Sequence, residues 1–295
     1  MKDKNKSKII FFVDATCDLP AAFVKEHDIQ IIGLRYYISG DEGWYTVADS
    51  QSQFDEYYEK MREGEFGSTS LVLYEDAIEA FEPFFKNGYD IIHFGLSSGL
   101  AKTYENARNA GADLSKKYGC KFYAPDTHGV SAQNYFHLRQ IMMLEEKYRA
   151  ESNCFERIVQ EFPANIGKIK AYFTVDDLKY LHKGGRLSAT AALFGGMLKV
   201  KPLITTNEEG KLVNFTKKKG RLASIIFLAD LTAKYIDPDY LEVIIVHADC
   251  MADAKILEQK VLKKNPNVKI EIINVGFIIG THTGPGTLGL GFKIK

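Results

Sequence analysis

The sequence predicts an α/β protein of two α/β domains, the first on a mostly parallel sheet with flanking helices, the second on a mixed sheet. Three observations carry this reading. Short apolar runs with polar flanks, such as residues 8–13 and 90–96, have the composition of strands buried on both faces. They alternate with longer stretches of helical spacing, the pattern of parallel strands joined by right-handed crossovers. In the second half, two strand-like runs flank Asn207-Glu208-Glu209-Gly210 and read as a hairpin, which brings antiparallel pairing into that sheet.

Taken in order, residues 8–13 are the first strand. A turn with Thr16 and Asp18 follows, and Pro20 at an early helical position suits a helix through about His27. Residues 30–38 read as the next strand and 40–49 as irregular. Phe54, Tyr57 and Tyr58 fall at helical spacing within 50–62, and residues 64–72 interrupt before a helix over 75–85. A strand over 90–96 then leads into helices over 100–118 and 130–149, with a short strand at 120–124 between them. Pro163-Ala164-Asn165 is the linker candidate, which divides the chain into domains 1–164 and 165–295. Beyond it come a strand at 168–174, a helical pair around Gly184-Gly185 and the hairpin strands 201–206 and 211–217. Helices are expected at 221–236 and 252–264, and strands at 242–248, 268–280 and 288–294.

Composition narrows the function. A chain of 295 residues exceeds one typical domain and favours two cores over one. Lys plus Arg and Asp plus Glu are both 38, so no net field gathers a polyanion, and nucleic acid is not an expected partner. Cys17, Cys120, Cys154 and Cys250 are scattered, the pattern of free thiols in a reducing cytoplasm. The apolar run at residues 9–13 stops at Asp14 and is too short for a signal peptide. Membrane contact is expected to be transient if it occurs.

Several clusters could carry chemistry. Ser97-Ser98-Gly99 lies between a strand and a helix, where unpaired amides favour an anion; the same position suits Ser98 as a plain helix cap. Ser68-Thr69-Ser70 follows Gly67 and carries the same two readings. His282, between two threonines and before Gly284-Pro285-Gly286, can donate to a carboxylate. Gly184-Gly185 permits a sharp break, with Arg186 offering a permanently charged fork beside it. Asp14 and Asp18 make a poor metal cage and are better read with Thr16 as caps of the helix near Leu19. No nucleophile elbow, zinc-binding histidine pair or phosphate-binding lysine motif is present, so no catalytic residue is assigned.

Four of these stretches run in order along the whole chain. They are Val13-Asp14-Ala15-Thr16-Cys17-Asp18-Leu19-Pro20, the run Ser97-Ser98-Gly99-Leu100-Ala101-Lys102-Thr103-Tyr104, the Gly184-Gly185-Arg186 stretch, and Gly280-Thr281-His282-Thr283-Gly284-Pro285-Gly286. Together they resemble the DegV family, bacterial acyl-binding proteins that include the FakB subunits of fatty acid kinase. The resemblance implies a long-chain fatty acid in a cleft between the two domains, no cofactor and no chemistry performed by the protein itself. It places the head group at Thr69 and His282, with Ala101 where the family has its second carboxylate ligand; the residues themselves add Ser70, Ser98, Lys102 and Thr283 as ligand-binding candidates. It further implies a partner kinase that phosphorylates the carboxylate, with Arg186 and Lys183 as docking residues.

Two departures from that family's pattern bear on the head group. Ala101 stands where the family has a carboxylate-binding serine, which removes a hydrogen bond to a charged acceptor of about 1.5–3 kcal/mol. Lys102 replaces the following glycine and is a candidate compensating charge. Leu71-Val72 also replaces the family's usual Gln-Pro. A smaller anionic ligand at the same residues, bound or turned over, is the alternative these changes leave open. Burying an acyl chain of about 14–16 methylenes offers roughly 11–13 kcal/mol before association costs, so one lost serine is survivable. Leu193, Phe194, Met197 and Leu198 are candidate tunnel residues.

Overall fold

The computed structural model describes residues 8–48, 50–186 and 200–295, and it has two α/β domains. The chain runs β1 (Ile9–Asp14), α1 (Ala21–Glu26), β2 (Gln30–Ile32), β3 (Leu34–Ile38), β4 (Asp41–Tyr45), α2 (Gln51–Arg62), β5 (Ser68–Thr69), α3 (Tyr74–Lys86), β6 (Asp90–Phe94), α4 (Thr103–Tyr118), β7 (Phe122–Tyr123), α5 (Ala132–Tyr148) and α6 (Cys154–Glu161). It continues with β8 (Ile169–Thr174), α7 (Lys179–Lys183), β9 (Val200–Thr206), β10 (Leu212–Lys219), α8 (Arg221–Tyr235), β11 (Glu242–His247), α9 (Met251–Lys264), β12 (Lys269–Asn274), α10 (Phe277–Thr283) and β13 (Leu288–Lys293).

The first sheet is parallel, in the order β2-β1-β6-β7, and its central β1 is buried from Ile10 onward, as a strand covered on both faces requires. The second is mixed, in the order β10-β9-β8-β13-β11-β12, with only β11 and β12 parallel. A third, antiparallel sheet, β4-β3-β5, was not expected from the sequence. The run at 30–38 is not one strand. It breaks at Gly33, where a side chain would overlap the Trp44 indole, and β2 and β3 enter different sheets.

Three other expectations are corrected. The strand expected over 268–280 ends at Asn274, and residues 277–283 coil into α10. The β-branched run Ile278-Ile279 resembles a strand, but tertiary packing overrides it: the Phe277 ring stacks on Tyr57 at 4.2 Å and on Tyr45 at 4.5 Å. The helix expected from residue 100 begins at Thr103, and α6 fills a stretch to which no element was assigned. Asp18 does not cap α1, whose N-cap is Pro20 with no side-chain bond; its Oδ1 accepts from Gly276 N at 2.9 Å, at the start of α10. Asp14 also serves as a tie, accepting from Thr16 N and Leu96 N.

The two expected cores are not separate. The largest apolar cluster joins Phe12, Phe81 and Phe94 of the first half to Val246, Val275 and Phe277 of the second, while a further cluster lies between the second sheet and α8 and α9. Among the described residues, no helix is long and apolar enough to cross a membrane.

Candidate functional site

Where the halves meet, a mostly apolar cavity runs between β8, β13 and α10. Its empty space, opening included, is about 910 Å3, of which about 90 Å3 can hold the centre of a water molecule. One water needs roughly 10–15 Å3 on that measure, so the void has room for several waters. Leu34, Leu71, Leu96, Leu100, Phe173, Leu212, Val246, Ile278, Ile279 and Leu290 supply most of its wall. Gly289 keeps part of the wall low, since a Cβ there would come within 2.7 Å of Phe173 Cβ.

Polar groups gather at one end of α10. Thr69 Oγ1 lies 2.8 Å from His282 Nε2, and both residues line the cavity with Ser70, Thr283 and Arg186. Each is held by its own local device. Thr69 reaches the site because β5 pairs with β3 and because Gly67, whose Cβ would sit 3.0 Å from Thr281 Cγ2, lets β5 pack against α10. Ser70 is fixed by its own Oγ, which accepts from Arg35 N at 3.0 Å. The Tyr57 hydroxyl bonds Thr281 Oγ1, and Tyr58 donates to Val275 O at 2.7 Å, so α2 anchors α10 and the residue just before it.

The Gly-Gly-Arg stretch closes over this end. Gly185 N donates to His182 O at 3.0 Å and Arg186 N to Leu181 O at 3.0 Å, the paired bonds of a Schellman termination, with Gly185 left-handed at φ 71°. Gly184 matters for a different reason, because a side chain there would overlap His282 Nδ1. The termination delivers half-buried Arg186 to the cavity, where its guanidinium also donates to Gly184 O. Burial, and then the Arg186 charge, lower the His282 pKa to about 4, so its imidazole is neutral at pH 7. A hydroxyl, a neutral imidazole and a guanidinium at the end of an apolar cavity suit one negative head group on an apolar tail.

The remaining sequence candidates divide. Ala101 lines the cavity, whereas Ser98 and Lys102 are exposed and do not. The buried serine of that loop is Ser97, which donates to Gly210 O at 3.0 Å and ties the loop to the β9–β10 turn. Lys183 stays outside, its ammonium 3.9 Å from the centre of the Phe66 ring. Leu193, Phe194, Met197 and Leu198, and any second helix after Arg186, lie outside the described residues. Sequence reasoning missed Thr103 and Ser131 as lining residues, and it gave Arg186 only a docking role.

A family model described as uncharacterised protein, DegV family, matches residues 8–295. The chain belongs to the DegV family. A DegV domain-containing protein of Clostridium perfringens is 34% identical over 287 residues, covering 97% of each chain. Among solved structures, a Thermotoga maritima protein described as revealing a fatty acid binding function is 27% identical, with a TM-score of 0.79 over 98% of this DegV chain and 100% of the other. The fatty acid binding DegV family protein of Streptococcus agalactiae is 26% identical, with a TM-score of 0.82 over 98% and 99%.

Proposed function

We propose that this DegV protein binds a long-chain fatty acid with its tail in the apolar cavity and its carboxylate at Thr69, His282 and Arg186, and presents that carboxylate to a partner kinase in the cytoplasm. The observation that carries the reading is the Thr69–His282 contact at one end of an otherwise apolar void, with Arg186 beside it. Fatty acid binding in relatives of the same fold supports it. In this reading residues 1–164 and 165–295 are two domains that close on the ligand, and the protein itself catalyses nothing. A small polar anion would satisfy the head end but leave the apolar length of the cavity unfilled.

Organic extraction of the purified protein followed by mass spectrometry is expected to release a fatty acid at close to one per chain. A ligand-free protein that also fails to take up added fatty acid overturns the reading. Lys183, outside the cavity, is the docking candidate, whereas Arg186 can serve both ligand and partner. Lys183→Glu is therefore expected to keep its fatty acid and lose phosphorylation by added fatty acid kinase, while Arg186→Glu loses both. Equal phosphorylation of Lys183→Glu and the parent removes Lys183 from the docking surface.

A further inference from the structure

We propose that residues 205–213, the tip of the β9–β10 hairpin, are a flap over the acyl cavity that Ser97 latches shut, and that a fatty acid enters and leaves beneath it. The inference rests on the fatty-acid reading above and adds the route by which the ligand exchanges. The seam that encloses the cavity is uneven. On the α10 side the largest apolar cluster runs through both halves, with Tyr58 bonded to Val275 O and Asp18 to Gly276 N, so opening there breaks the core. On the hairpin side Val175, Leu181, Ile204 and Leu212 form a small apolar cluster of their own, against which Leu100 packs. Leu100, Leu181 and Leu212 all line the cavity, so parting this cluster uncovers the cavity and leaves the main core whole, a local opening of low cost.

The strands themselves mark out the flap. β9 and β10 pair with each other from Val200 and Lys219 to Thr206 and Leu212, whereas β9 joins β8 at the pair Phe173–Ile204. Past Ile204 the Thr205 hydroxyl, which donates to Ala171 O at 2.8 Å, stands in for the ladder. Asn214 lies opposite Ile204 and Thr216 opposite Leu203, which leaves Phe215 as the extra residue of a β-bulge level with that pair. Bulges are where strands bend. Below the bend Leu203 stays in the core under α8, and β10 is the edge of its sheet, with no strand beyond it to hold the tip.

At its far end the flap meets the first half of the chain through backbone. Ser97 Oγ donates to Gly210 O at 3.0 Å and accepts from Gly99 N at 3.1 Å. This contact needs glycine on both sides: a Cβ at Gly99 would lie 2.2 Å from Glu209 O, and one at Gly210 would lie 1.9 Å from Ser97 Oγ. Thr206 Oγ1 and Gln133 Oε1 are 3.5 Å apart, so among the described residues the Ser97 bond is the firm tie between the tip and the first half. Ser97 is fully buried yet forms no part of the cavity wall, so its hydroxyl acts on the passage and not on the ligand.

Stopped-flow binding of cis-parinaric acid, a fatty acid that fluoresces when bound, tests this on delipidated protein. Ser97→Ala leaves Gly210 O buried and unpaired while the flap is shut, so the flap opens more often. Loading and release are both expected to quicken on the order of tenfold, the worth of one buried hydrogen bond, while the affinity stays within about twofold of the parent. Arg139→Gln breaks another tie between the halves, at Glu242 of β11, three strands from β9, and is expected to change neither rate. A lock gives the converse. A Cβ at Gly210 falls 3.1 Å from that of Ser97, close to the separation of about 3.5–4.5 Å in a disulfide. The double variant Ser97→Cys, Gly210→Cys is therefore expected to hold its ligand on the order of tenfold longer when oxidised and to release it on reduction. Ser97→Ala rates equal to the parent's, or an oxidised lock that exchanges as fast as its reduced form, put the entrance elsewhere and overturn the inference while leaving fatty acid binding intact. Failure of the parent to take up either cis-parinaric or stearic acid overturns the fatty-acid reading, and this inference with it.

Discussion

Gly184→Ala is expected to fold as well as the parent and to weaken its grip on a fatty acid by roughly 10- to 150-fold, the equivalent of one charge-assisted hydrogen bond. The backbone at Gly184 is right-handed, with φ −73° and ψ −5°, a conformation in which alanine is favoured over glycine by up to about 1 kcal/mol. The only serious obstacle is His282, whose Nδ1 a Cβ would overlap; Tyr180 O, at 3.2 Å, is merely tight. The imidazole must therefore swing away, and the 2.8 Å contact with Thr69 is lost. Gly185→Ala makes the control. That residue sits at φ 71° with open space around it, so alanine costs about 1–2 kcal/mol of backbone strain but touches nothing at the site. Binding titrations and thermal melts on both variants check the contrast: a Gly184→Ala protein of parental affinity would show that His282 plays no part in holding the head group.

The contrast between these neighbouring glycines shows what the sequence could and could not reveal. That Gly184-Gly185 ends a helix is local chemistry, and the sequence carries it. That Gly184 is a seat for an imidazole almost a hundred residues away is a tertiary fact with no local signal. Local patterns sufficed for β1, β6 and the β9–β10 hairpin, whose apolar periodicity and turn residues agree with their surroundings. They failed at α10, because Phe277-Ile278-Ile279 carries strand-like residues and becomes helical only when α2 clamps Phe277 and Thr281. The same limit governs the site. Thr69 and His282 were legible through the family's motifs and do meet. Ser98 and Lys102 share a motif with Ala101, but α4 begins three residues later than the pattern suggests, and both side chains face solvent. Ser131 had no signal at all, since its distinction is a turn geometry that glycine would fill more easily.

Asp18→Asn is expected to remove most of a pH dependence that this loop imposes on the fold. Burial is the main reason that the Asp18 carboxyl rises from 3.8 to about 7; hydrogen bonds from Ser131 and Gly276 only partly oppose it. The folded chain thus holds a proton there that the unfolded chain releases near pH 4, so this contribution is full below that value, falls as pH rises from about 4 and is lost once pH passes about 7. A rise of that size corresponds to about 4 kcal/mol between pH 4 and pH 8. His93 and His137 contribute with the opposite sign: burial lowers both to about 3, so their share of stability is lost as pH falls below about 6.5. Both histidines remain in Asp18→Asn, and the difference between the two proteins isolates the carboxyl. An asparagine keeps the oxygen that accepts from Gly276 N and places an amide against Ser131 without a charge to desolvate. Thermal melts of delipidated protein should coincide near pH 4 and separate toward pH 8, with the variant higher by on the order of 10 °C. Curves that stay parallel across that range would mean that the Asp18 carboxylate is solvated in the folded protein, and the tie from the first half of the chain to α10 would then be a neutral packing contact.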